Sequence, residues 1–302
     1  MTPSLGNNAA LFNNENPDIK VQSADGVIFE LHRAMLSAHT GSFPGSEIEV
    51  AGEPVKLTES ADVLRICFDF IYPKRHPDLE DVEDFELLAA VAEAVGKYEI
   101  FSAVNTCNTR LRAFLPSHPI EIFVIAVKHD HPRLMNEAAH CLARSSFTSV
   151  LKQLPHSFMV QWSMYRDAWT AVFKDSVKHI TQIEHCSKTY CHEHENRIFG
   201  SQGPTGLEVS RICSTCRSLL YAWIAKLEEI DSVDVLDKTI ESACDKNIRL
   251  PGCCAAIERM HTIKARPDFK CTHIINLAKI CRARILEIRS FDSFIPSSLI
   301  DA

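Results

Sequence analysis

No apolar run in these 302 residues approaches the ~20 needed to cross a bilayer as a helix. A phosphate-cradling Gly loop, a Gly-x-Ser-x-Gly elbow and a dinucleotide fingerprint are all missing. His192 and Glu193 do not complete a His-Glu-x-x-His helix, so metalloprotease chemistry is not indicated. An excess of basic charge is missing too. The net charge is −7, whereas a nucleic-acid binder usually shows a basic face. Residues 1–16 are polar and Asn-rich and lack the charged-then-apolar order of a secretory leader; they read as a flexible tail. Without that leader, twelve cysteines imply free, buried or metal-bound thiols in a reducing compartment, cytoplasmic or nuclear, rather than a disulfide framework. What remains is 46% hydrophobic and 24% charged, enough for packed cores in one large or two ordinary domains.

The most informative stretch is Asn16 to Leu115. Ile19 and Val21 alternate with Asp18, Lys20 and Gln22; Val27, Phe29 and Leu31 alternate with Ile28, Glu30 and His32. Period two on both arms around Asp25-Gly26 predicts a half-buried hairpin, with Gly supplying the positive φ of the turn. A short helix follows from Ala34 to His39, stopped by Gly41 to Gly45. Ile48, Val50, Val55 and Leu57 suggest a further strand or hairpin edge around Gly52. Ser60 stands as N-cap of a helix burying Val63, Leu64, Cys67, Phe68 and Ile71, ended by Pro73. The acidic loop Lys74 to Asp84 leads to a helix with Phe85, Leu88, Val91, Ala92 and Val95 inward. After Gly96 a separate helix is expected to carry Phe101, Val104, Asn108, Leu111 and Leu115, with Cys107 as substitute for Asn108.

Asp18-Ile19, Asp25-Gly26, Phe29-x-Leu31-His32-Arg33, Leu36-Ser37, Val55-Lys56-Leu57-Thr58-Glu59, Phe70-Ile71-Tyr72-Pro73 and Gly96-Lys97-Tyr98-Glu99-Ile100 resemble, in that order, the blocks of a BTB/POZ domain. A long Cys-bearing helical tail without kelch or zinc-finger repeats is similar to BTB proteins of mushroom-forming fungi. The resemblance implies an α+β fold: a small sheet clasped by helices over residues 17–145, then an all-α region over 146–290 and a fraying end at 291–302. It also implies partner binding and homodimerisation through the first strand and helix, which here means Ile19, Val21, Ala34, Met35 and Ala38. Some BTB proteins serve cullin-type ubiquitin ligases. The Gly41 to Glu49 connection is short for the segment that usually contacts cullin.

Beyond Leu115, Ser117 caps a helix with Pro119 in its first turn and Ile120, Phe123, Val124 and Val127 inward. His129-Asp130-His131-Pro132 reads as a turn rather than a ligand set. The next helix runs to Arg144, burying Leu134, Ala138, Cys141 and Leu142. Phe147 to Leu154 forms a short helix. From about Phe158 to His185, Trp162, Tyr165, Trp169, Val172, Phe173, Val177 and Ile180 recur at intervals of three and four. That stripe is a core that docks the tail onto the first domain, or a groove for a partner. Further helices carry Leu220, Ile224 and Leu227, then Val233, Leu236 and Ile240, then Ile274, Leu277, Cys281 and Ile285. Arg282, Arg284 and Arg289 form an outward basic face, which is usually solvated.

Cys191-x-x-His194 and Cys213-x-x-Cys216 form two knuckles separated by 18 residues, with Cys186 and His192 as alternates. A two-residue gap lets both side chains turn to one ion, and thiolate with imidazole suits tetrahedral Zn²⁺ at Zn–S near ~2.3 Å. The site would be structural. The bland alternative is buried thiols near a helix start and histidines in a surface loop. Cys244, Cys253, Cys254, His261 and Cys271 are weaker candidates for a second cluster.

These residues point to a non-enzymatic interaction module, with a zinc-stabilised transcription or chromatin-associated regulator as the alternative and a Cys-nucleophile enzyme last. If the knuckles hold zinc, metal analysis of purified protein should find about one Zn per chain, and Cys213→Ser with Cys216→Ser should lower both the metal content and the melting temperature. Metal-free protein of unchanged stability would remove the site.

Overall fold

A computed structural model describes residues 16–43, 53–182, 184–186, 209–211, 214–244 and 272–296. The chain divides into two compact units, Met1–Ala138 and Ala139–Ala302. The class is α+β, mostly helical with a small three-stranded sheet.

In the first unit, β1 (Ile19–Gln22) and β2 (Ile28–Leu31) pair antiparallel, Ile19 opposite Leu31 and Val21 opposite Phe29. All four of those side chains are buried, whereas Lys20 and Glu30 form an exposed ion pair at 3.1 Å. The turn is longer than a two-residue one. Gly26 N–H donates to Ser23 O at 3.0 Å, Ser23 N–H donates to Val27 O at 2.9 Å, and Gly26 takes φ +86°. Val27, expected inward, is 38% exposed because the turn carries it off the sheet. β3 (Val55–Lys56) adds parallel to β1, giving the order β2-β1-β3. Ile48 and Val50 lie outside the described residues.

α1 (Arg33–His39) follows β2 directly, and α2 (Ala61–Ile71) buries Val63, Leu64, Cys67, Phe68 and Ile71 as expected. Ser60 occupies the N-cap position of α2 but its hydroxyl makes no cap hydrogen bond. Asp25 reaches over from the hairpin tip and accepts from Ala61 N–H at 2.9 Å, while Ala24 N–H donates to Glu59 O at 2.8 Å. The hairpin therefore caps the helix that covers it. Phe29 meets Phe68 edge-on, ring centroids 5.2 Å apart.

α3 (Phe85–Tyr98) is capped by Asp84, which accepts from Glu86 N–H at 3.0 Å. It does not break at Gly96. It continues to Tyr98 and ends at Glu99, in the left-handed region at φ 51°. The helix after it, α4 (Val104–Ala113), starts later than expected and buries Cys107 and Leu111. Phe101 is left 62% exposed instead of entering the core. α5 (Pro119–Lys128) starts on Pro at N1, and His118 rather than Ser117 precedes it without a side-chain cap. His118 stacks on Phe85 at 3.8 Å. Inward residues of α5 are Ile122, Phe123, Ile125, Ala126 and Val127. The division between units falls within α6 (Pro132–Leu142). Cys141, expected inward, is exposed.

In the second unit, α7 (Phe147–Leu151) leads through a 3₁₀ turn to α8 (Met159–Gln182). Then come β4 (Glu184–Cys186), β5 (Val209–Arg211), α9 (Ser214–Glu228), α10 (Val233–Cys244) and α11 (Thr272–Glu287). α8 is the central element, touching α7, α9 and α11. Its aromatic stripe closes on the end of its own unit. Phe291, expected to fray, is fully buried in a 3₁₀ turn, Phe291–Phe294. Its ring centroid lies 6.0 Å from that of Trp162 and 5.6 Å from that of Tyr165, and Phe294 lies 5.9 Å from Tyr165. Ser176, also fully buried, donates to Val172 O at 2.9 Å and sits 3.1 Å from Cys281 Sγ, tying α8 to α11.

The last two carbonyls of α9 and Ile230 O just beyond it share one side chain. Arg144 donates to Leu227 O, Glu228 O and Ile230 O at 3.2, 2.6 and 3.0 Å, with its guanidinium 4.8 Å from the Phe173 ring centre. A cation at the negative end of a helix satisfies both the orphan acceptors and the dipole.

Truncating a fully buried Phe leaves a cavity as well as losing transfer energy. Phe291→Ala should therefore destabilise the second unit by about 3–5 kcal/mol, measured by urea unfolding. A loss below about 1 kcal/mol would mean that the end of the chain is not part of the core.

Candidate interaction surface

The five residues expected to form a contact face are split by the sheet. Ile19 and Val21 are 4% and 0% exposed. Their side chains belong to the core, because period two turns one face of β1 inward and leaves Lys20 on the other. That part of the expectation is corrected. Ala34 and Ala38 are exposed and Met35 is half-buried, while Leu36 on the opposite side of α1 is buried.

A seven-residue helix is too short to persist by its own propensity, so its ends must be held. At its start His32 provides no cap; Asp18 accepts from Arg33 N–H at 2.7 Å. Tyr72 OH accepts from His32 N–H at 3.0 Å, tying the entry of α1 to the end of α2. At its finish Thr40 Oγ1 donates to Leu36 O at 2.7 Å, and Thr40 forms a bridge with Ile100. Gly41 N–H donates to Glu99 O at 3.2 Å, and Ser42 Oγ donates to Glu99 Oε1 at 2.8 Å. The exit of α1 is thus laid beside the exit of α3, and the exposed Phe101 follows immediately. Phe101 was missed because its spacing to Val104, Asn108 and Leu111 fits a helical core stripe. α4 begins only at Val104, so Phe101 precedes the helix whose stripe it matches.

The α3 exit is itself fixed by a polar cluster. Tyr98 OH donates to Glu59 Oε2 at 2.5 Å, and Lys97 Nζ donates to Glu59 Oε1 at 2.7 Å and Thr58 Oγ1 at 2.9 Å. Burial raises the cost of the Glu59 charge, but the hydrogen bonds from Lys97, Tyr98 and Thr58 outweigh it and hold the carboxyl below its usual range. Burial, and then the Glu59 carboxylate, push the Tyr98 phenol up.

Chemically the surface offers contact area. Val27, Ile28 and Phe101 are the large apolar residues exposed among the described residues of this unit. Cys67 and Cys107 are buried, and burial raises both thiols, Cys107 to about 12, so neither is a poised thiolate.

Of the expected zinc ligands, Cys191, His192, His194 and Cys213 lie outside the described residues. Cys186 is in β4 and Cys216 in the first turn of α9, with their side chains outside what is described. β4 and β5 pair antiparallel, Glu184 opposite Arg211 and Cys186 opposite Val209, so the stretches that precede the two knuckles are brought side by side. Among the described residues no group of three or more His, Cys, Asp or Glu forms a metal cage, and no helix is long and apolar enough to cross a membrane. Of the second cluster only Cys244 is described; it is half-buried.

Compared with known proteins, the chain matches no protein-family model and no curated protein.

A carboxylate held below its ordinary value stabilises the fold fully above its unfolded pKa, and that contribution is lost as pH falls through the folded one. Glu59→Gln should therefore lower the melting temperature at pH 7, and the gap to the unsubstituted protein should shrink as pH falls from about 5 toward 3. A gap independent of pH over that window would exclude a role for the Glu59 charge.

Proposed function

We propose that the chain is a protein–protein interaction module of BTB/POZ type, a self-associating adaptor or scaffold that performs no catalysis. The observation that carries this reading is the sheet order β2-β1-β3, a buried hairpin with a parallel third strand, clasped by α1 and α2. That arrangement follows the order of the sequence blocks that resemble the family. It leaves the outer side of α1 and the neighbouring Phe101 uncovered, a mixed small and apolar face of the kind that mates with a copy of itself about a twofold axis. Buried thiols and ion pairs among exposed side chains are consistent with a surface that works by contact.

The alternative, a zinc-stabilised transcription or chromatin-associated regulator, draws on the second unit. The β4–β5 pair brings the stretch just before Cys191 beside the stretch just before Cys213, as a zinc site shared by the two knuckles requires. Its basic face is thin. Arg282 pairs with Glu241 at 3.1 Å, and Arg284 pairs with Asp175 and Glu287 at 3.2 and 2.7 Å, which removes most of the free positive charge. Salt-sensitive retention on DNA would favour this alternative.

Sedimentation equilibrium at micromolar concentration tests the adaptor reading. A concentration-dependent dimer is expected, weakened at least tenfold by Phe101→Asp or Met35→Asp, since a charge buried in an interface without a partner costs more than about 1.4 kcal/mol. A monomer at all concentrations would refute self-association.

A further inference from the structure

Between α8 and the end of α11 lies a cleft of about 280 Å³, at the lower end of the ~300–1,000 Å³ usual for small-molecule sites. Ala168, Ala171 and Val172 line it from α8, and Ile288 and Phe294 line it from the chain that leaves α11. Ala168 and Ala171 stand three residues apart on one helical face, so α8 presents only methyl groups there. Phe294 is a fixed wall. Its ring meets that of Tyr165 edge-on at 5.9 Å, and its 3₁₀ turn is anchored in the core by Phe291. The apolar walls are set by the packing of the second unit itself.

The charged side chains at this cleft are not equivalent. Arg284 is committed to two carboxylates, Asp175 at 3.2 Å and Glu287 at 2.7 Å, and all three line the cleft. Asp292, in the turn that follows, accepts from Ser290 Oγ. Arg289 lines the cleft too and is exposed, and no carboxylate among the described residues pairs with it. Its guanidinium lies instead over the Phe294 ring, 5.1 Å from the centre. Contact with an aromatic face restrains the guanidinium without supplying a counter-charge. Its donor fork is left to take a carboxylate bidentately.

We propose that this cleft binds a small organic acid, with the carboxylate on Arg289 and an apolar body of ring size between Phe294 and the alanines of α8. Burial against Phe294, Ile288 and the alanines rewards a carbon body and gives nothing to a bare inorganic ion. One cation is uncommitted, and Asp175 and Glu287 stand at the same rim. That balance selects a monoanion over a phosphate dianion, which the two carboxylates would repel.

Phenylacetate, phenylacetamide and inorganic phosphate, each titrated into the full chain and followed by backbone amide NMR shifts, test the assignment. Phenylacetate has about ten non-hydrogen atoms, so ordinary ligand efficiency places its Kd at about 10 mM or lower. Its largest shifts should fall on Ala168, Ala171 and Phe294. The neutral amide and the phosphate should each bind at least about tenfold more weakly. Arg289→Met, at an exposed position, should abolish the preference for acid over amide. Ala171→Phe, which fills the cleft, should abolish binding of both. No saturable shift with phenylacetate, equal affinity for acid and amide, phosphate bound as tightly, or shifts centred elsewhere would overturn the proposal. So would a preference for the acid that survives Arg289→Met.

Discussion

A hairpin of four-residue strands is not stable in water by itself, and covering its one apolar face is the constraint on which the first unit depends. Ile19, Val21, Phe29 and Leu31 can be buried only if something lies across them, and α2 does so with Phe68 and its neighbours. Burial alone would leave the position of that helix along the sheet loosely set. The hydrogen bonds from Ala61 N–H to Asp25 and from Ala24 N–H to Glu59 O fix it, because they are directional where the hydrophobic contact is not. The third strand continues the same logic, with Leu57 N–H donating to Gln22 O at 2.8 Å just before α2 begins.

The positioning of α1 is a consequence. It is too short to hold itself, so both ends are tied to elements that the hairpin has already placed: Asp18 and Tyr72 at its entry, Ile100 and Glu99 at its exit. Its outer side is left with small exposed residues that nothing among the described residues buries. The second unit uses a different device. A single long helix, α8, provides the floor, and the chain returns to it repeatedly, ending with Phe291 over Trp162 and Tyr165. Polar groups there are placed where the packing would otherwise strand them, as with Arg144 on the last carbonyls of α9 and Ser176 beside Cys281.

Local pattern was enough for the hairpin, for the inward faces of α2 and α3, and for the turn at His129–Pro132. In each, the deciding information is carried by residues within a few positions of one another: alternation, a 3.6-residue stripe, Gly26 at positive φ, Pro132 at a helix start. It failed where the deciding partner is far away in sequence. Gly96 looks like a helix stop, yet it is the place where the ring of His129 lies on α3. Ser60 looks like a cap, yet Asp25 takes the bond. Phe291 follows the last long helix and looks like a loose end, yet it fills a space left by α8.

By itself the sequence determined an α+β chain of short strands and many helices, and which faces of most helices turn inward, because periodicity records the environment on each side of an element. Only the tertiary structure decided which apolar residues are spent in the core and which remain to make contact. Ile19 and Val21 went inside and Phe101 came out, although all three read as core or contact by composition. That choice depends on how much area each element finds to cover it, and no segment contains that information alone.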